Sequence, residues 1–150
     1  MSVVMSVFLT HSRMAGPEDW VNAIRSNEFD MEMDSDFDPD TFTGFLPCKY
    51  GGEDAGFEYF RETVKTEELP DHVSAHLAER DTRIDFVTHS DLRELVTSMI
   101  ASGVLCAISD GVLWETEADE LVPASRALEW ARSGEASVKA VLGHRRLRRR

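Results

Sequence analysis

Cysteine is nearly absent from this chain. Cys48 and Cys106 are the only two in 150 residues, and neither belongs to a Cys-x-x-Cys pair. Two isolated thiols in apolar settings read as reduced core residues, with a disulfide between them as the alternative. Long apolar runs are missing as well. None approaches transmembrane length, and residues 1–9 carry no basic flank and too short an apolar core for a signal peptide, so a cytoplasmic protein without a membrane span is expected. The common catalytic signatures are absent too. There is no Gly-x-Ser-x-Gly, no phosphate loop and no dinucleotide fingerprint, since Gly51-Gly52 lies between two strand-like stretches and not between a strand and a helix. The expectation is a protein that is not an enzyme and needs no cofactor.

Positive charge is scarce outside the last six residues. Arg145, Arg146, Arg148, Arg149 and Arg150 supply five of the 16 lysines and arginines, which leaves 11 basic residues against 28 acidic ones. The chain stands at −12, and the body without that tail at −17. Such a body repels nucleic acid and anionic membranes and draws basic proteins toward it.

What is present is an ordinary globular composition, 42% hydrophobic and 9% aromatic, in a length that suits one domain. Val3–Leu9 reads as a buried strand, and Pro17, Glu18 and Asp19 open a helix that buries Trp20 and Ile24. Residues 43–50 and 55–63 flank a glycine turn as a hairpin, with Pro47 marking an edge or a bulge. A helix is expected over 69–80 and a strand over 83–87. Ser90 caps the next helix, which Gly103 ends, and a buried strand follows at 104–108. Residues 112–116 pair back across Asp110-Gly111, 121–123 are extended, and a last helix is broken at Gly134. The fold class is therefore α+β, a mixed, mostly antiparallel sheet with helices packed on it, in one domain over 1–142 followed by a flexible basic tail at 143–150. Thr10-His11-Ser12 and Thr88-His89-Ser90 each close a strand and precede a helix. That likeness suggests an internal duplication of a strand-helix-three-strand-helix unit, with pseudo-repeats 1–80 and 83–133.

The most unusual stretch is residues 28–40, where Glu28, Asp30, Glu32, Asp34, Asp36, Asp38 and Asp40 occupy every even position. An extended chain throws these to one side, and Phe29, Met31, Met33 and Phe37 to the other. A strand over 28–38 with its apolar edge on the core and a carboxylate ladder outside is expected. Like charges side by side oppose folding, so a basic partner is the simplest account of the ladder. Alternate aspartates also suggest calcium, but Pro39 and Phe45 stand where a calcium loop needs glycine and glutamate. His72 and His76 are four apart, yet Val73 stands where a zinc helix needs glutamate, and no metal site is assigned. Tyr50 and Trp114 near hairpin ends, with Glu53 and Asp54 in the turn, complete a candidate partner-binding face of aromatics in an acidic rim. His11 and His89 form an alternative, a small enzyme or ligand-binding domain with a pocket near both; a second alternative is an interaction subunit of a larger assembly.

Residues 44–60, Gly-Phe-Leu-Pro-Cys-Lys-Tyr-Gly-Gly-Glu-Asp-Ala-Gly-Phe-Glu-Tyr-Phe, resemble a stretch of small bacterial immunity proteins encoded beside secreted polymorphic toxins. The resemblance implies a cytoplasmic, acidic, single-domain inhibitor that occludes a cognate basic toxin, with no catalytic motif to carry over.

Overall fold

The computed structural model describes residues 2–148, and their side chains as far as Gly143. The chain runs β1 (Val3–Leu9), α1 (Pro17–Ser26), β2 (Met31–Met33), β3 (Gly44–Tyr50), β4 (Glu53–Thr63), α2 (Asp71–Ser74), β5 (Thr82–Thr88), α3 (Leu92–Ile108), β6 (Val112–Glu115), β7 (Glu120–Pro123) and α4 (Ala124–Arg148). Short 3₁₀ turns lie at His11–Arg13 and Thr66–Glu68. The strands form one sheet in the order β2-β3-β4-β5-β1-β6-β7, and each neighbouring pair is antiparallel. The α+β class expected from the sequence is the class observed.

Period-two alternation explains the sheet. In β5, Ile84 and Phe86 are buried on the helical face while Arg83, Asp85 and Val87 point the other way, half-exposed. β1 is buried on both sides: Met5, Val7 and Leu9 join the main core under the helices, and Phe8 on the opposite face is covered by Leu69, Val73 and Leu77. Those three residues belong to the 3₁₀–α2 segment, which shields that half of the second face; the expected helix over 69–80 is reduced to Asp71–Ser74 and turns. Beside it, Ser6 donates to Asp85 Oδ1 at 2.6 Å, and Arg83 bonds both Asp85 and Ser6. The Arg83 guanidinium also lies over the Phe8 and Trp114 rings, so this buried serine and its charged neighbours are fully occupied with one another.

Residues 104–108, expected as a strand, are the last turns of α3. The helix lies between the sheet and the neighbouring helices, and its residues from Val96 through Cys106 are all buried except Met99, so the one-sided stripe that marks a surface helix is lost. Its buried hydroxyls turn back onto their own helix: Thr97 donates to Glu94 O at 2.8 Å and Ser98 to Leu95 O at 2.7 Å. Asp91, not Ser90, caps the helix, accepting from the backbone N–H groups of Arg93 and Glu94. The second half of the chain therefore has two strands after its first helix where the first half has three, and the strand-helix-three-strand-helix order occurs once.

Gly103 and Gly134 do not terminate helices, because both serve the α3–α4 contact. A Cβ at Gly103 would stand 2.9 Å from Ala131 Cβ and 3.0 Å from the Ala127 carbonyl oxygen; one at Gly134 would meet the Met99 methyl. Ala127, Ala131, Gly134 and Val138 thus form a small-residue seam buried on α4. Gly103→Ala is expected to cost about 1–2 kcal/mol, overpacking against backbone outweighing the gain in helix propensity. Gly134→Ala should be neutral or slightly stabilising, because the Met99 terminus can swing aside. Urea unfolding of the two variants checks this ordering. The α4 backbone continues to Arg148, within the tail expected at 143–150; its side chains from residue 144 on lie outside the described residues.

Candidate functional site

Alternation along residues 29–37 places the chain as the sequence implies, but most of it is not strand. Phe29, Met31 and Met33 are buried, Phe37 is half-buried, and all seven carboxylates from Glu28 to Asp40 are exposed. Only Met31–Met33 pairs with β3, through the register Met31↔Tyr50, Glu32↔Lys49 and Met33↔Cys48. Glu28 sits at φ +63° in the turn after α1, and beyond Met33 the side chains of Asp34 and Asp38 accept from the backbone N–H groups of Asp36 and Asp40, each at 2.9 Å. The expected strand over 28–38 is thus a turn, a three-residue edge strand and two Asx turns, because aspartate side chains compete for the backbone that a ladder would use.

Aromatic packing holds this ribbon in place. Phe37 meets Trp20, Phe42 and Tyr59 with ring centroids 6.1, 5.8 and 5.9 Å away. Trp20 is itself fully buried, its indole N–H donating to the Ala101 carbonyl of α3. The Tyr59 hydroxyl donates to the Pro39 carbonyl at 2.8 Å, and burial pushes its pKa up. The carboxylates between Met33 and Phe42 therefore stand on a segment anchored at both ends, which is the condition for presenting charge in one fixed arrangement.

The chain neutralises part of this charge itself. His11 Nε2 lies 2.9 Å from Asp40 Oδ1, and Arg61 Nε lies 3.8 Å from the same oxygen. Lys139 Nζ is 3.8 Å from Asp30, and Lys49 stands opposite Glu32. Among the described residues Glu28, Glu32, Asp34, Asp36 and Asp38 form no direct ion pair. Between α1 and β2 a cavity of about 320 Å³ brings Arg25 and Lys49 beside Asp30 and Glu32, so the ribbon's inner edge is mixed in sign and its outer loop is purely acidic.

Four expectations about the site are corrected. Tyr50 is 4% exposed, packed under α4 with its hydroxyl 3.4 Å from Glu135, so it offers no surface. Its strand position faces the helices, as does every second residue of β3. Trp114 is half-buried on β6, five strands from β2, and donates to Asp119 at 2.9 Å; the two aromatics share no face. Asp119 is held below the usual carboxylate range by His72 and by this indole. Glu53 and Asp54 are exposed in the hairpin but individually paired, with Arg93 at 2.6 Å and with Lys49 at 2.7 Å. Finally, His11 and His89 do not converge. β1 and β5 run antiparallel from Val3↔Thr88 to Leu9↔Thr82, which sets the two histidines at opposite ends, roughly 20 Å of strand apart. His89 lies beside Ser2 and Glu58.

Both cysteines are buried in separate elements, unpaired, with burial pushing each thiol up to about 12, so neither is poised as a nucleophile. Among the described residues no three His, Cys, Asp or Glu side chains gather as metal ligands, and no helix is long and apolar enough to cross a membrane. No family model, no curated protein and no solved structure matches the chain.

Proposed function

We propose that the protein is a stoichiometric binder of a basic protein, and that it acts as an immunity protein occluding a cognate cationic toxin. The observation that carries this reading is the acidic ribbon over residues 28–42, whose outer carboxylates lack internal cations among the described residues while Phe37, Phe42 and Tyr59 hold its backbone fixed. A cationic cleft built to hold an anionic substrate is complementary to such a loop, and the net charge of −12 steers the encounter from a distance. The likeness of residues 44–60 to immunity proteins supports the same reading, since that hairpin is the one on whose edge β2 is added. Bacterial origin and a cytoplasmic site of action belong to this proposal.

The test is kinetic. Association with the basic protein encoded by the neighbouring reading frame should slow by about tenfold or more between low and high salt, because screening removes the long-range attraction. Dissociation should change far less. An association rate insensitive to salt would remove the electrostatic basis of the proposal.

A further inference from the structure

At the opposite edge of the sheet, the β6–β7 hairpin and α4 flank a groove that the sequence gives no sign of. Two contiguous cavities, of about 480 and 390 Å³, share Glu120 and Trp130. The first is floored by Met5, Leu95 and Met99 and walled by the half-buried Trp130. Its rim carries Glu115, Glu117 and Glu120, and Glu129 lines the second cavity, where Arg126 is the one cation among the lining residues.

These carboxylates differ from those of the ribbon in lying around an apolar, aromatic floor. Glu115 is occupied, accepting from the backbone N–H groups of Glu117 and Ala118. Glu117, Glu120 and Glu129 are exposed and form no ion pair among the described residues, and the Trp130 indole N–H donates to no described acceptor. β2 and β7 are six strand spacings apart, roughly 29 Å, so the groove stands apart from the ribbon.

We propose that this groove is a second docking site, seating a basic segment of a partner protein with an arginine or lysine side chain laid along Met99 and Trp130 and its cationic head among Glu117, Glu120 and Glu129. Each part of that side chain finds its counterpart. The aliphatic stem covers thioether and aliphatic surface, the head meets the ring face, and carboxylates take its donors. An uncharged apolar occupant would strip water from unpaired carboxylates without compensation, and an anion would be repelled. The groove is open rather than enclosed and extends over two cavities, which suits a stretch of chain more than a small molecule.

The peptide acetyl-Arg-Leu-Arg-Leu-Arg-amide, titrated into the full chain at low salt, tests the proposal by calorimetry and by the indole N–H resonances. Saturable binding with a shift of one indole signal is expected, and the same peptide with glutamates in place of arginines should not bind. Combined Glu117→Gln, Glu120→Gln and Glu129→Gln substitutions, all at exposed positions, should weaken binding about tenfold. Glu32→Gln, Asp34→Asn and Asp36→Asn together should change it less than about twofold, although the net charge falls by the same amount. Equal losses in the two variants would mean diffuse attraction and overturn the proposal. Loss confined to the ribbon variant would overturn it while leaving the ribbon's own role standing, and absence of saturable binding would overturn it outright.

Discussion

Gly56→Ala should be the most damaging small substitution in the protein, costing about 3–5 kcal/mol or preventing folding. Gly56 holds φ +139°, a conformation that residues with a Cβ rarely adopt. A Cβ there would lie within 2.4 Å of the Leu46 carbonyl oxygen and 2.7 Å of two Phe45 ring carbons. The ring can move, but the carbonyl belongs to the neighbouring strand and yields only if β3 and β4 separate. Gly56 is opposite Pro47, which has no N–H to contribute, so the ladder is already weakest where the strain would fall. Phe45, 46% exposed, is accounted for by the same geometry: its ring covers the backbone that glycine leaves bare. Phe45→Ala should accordingly be far milder than Gly56→Ala. Urea denaturation of both measures the difference, and a Gly56→Ala protein of unchanged midpoint would show that β3 and β4 are free to shift. Against a total stability of roughly 5–15 kcal/mol the expected loss is large, and it reaches the ribbon, because β3 pairs with β2 and β4 carries the Tyr59 hydroxyl that holds Pro39.

The same residues show how far a sequence discloses such a fold. Where one face is buried and the other wet, as in β3, β4 and β5, alternation places side chains on the correct face, and the Gly51-Gly52 turn, with φ +56° and +80°, sets the hairpin. Alternation also sorts Phe29, Met31 and Met33 from their acidic neighbours, although it says nothing of whether the backbone pairs; only three residues do. Periodicity fails when an element is buried all round. Val104–Cys106 lies in such a region of α3, next to a glycine whose small size serves α4 and not a helix end. The groove at Trp130 was not legible for a different reason: its residues come from β1, α3, the β6–β7 hairpin and α4, and no local spacing records that they meet. The two Thr-His-Ser segments show the converse, a local likeness that tertiary structure places at opposite ends of paired strands.

Removing charge from the ribbon should have the largest functional effect, and the geometry dictates which substitutions isolate it. Asp34→Lys would destroy the Asx turn to Asp36, and Glu32→Lys would set a second cation against Lys49, so both would confound charge with structure. Glu32→Gln and Asp34→Asn keep the shape and the turn acceptor, while Asp36→Lys reverses a side chain that makes no described ion pair. Together they change the net charge by four, from −12 to −8, almost entirely at one surface. Unfolding midpoints should stay close to those of the unaltered protein, because exposed charges contribute little to stability. The association rate with the basic partner should fall by about one to two orders of magnitude at low salt, and the two proteins should converge at high salt. That convergence distinguishes steering from lost contacts, which would appear as faster dissociation at every ionic strength. Unchanged association at low salt, in a variant that folds normally, would take residues 28–42 out of the interface.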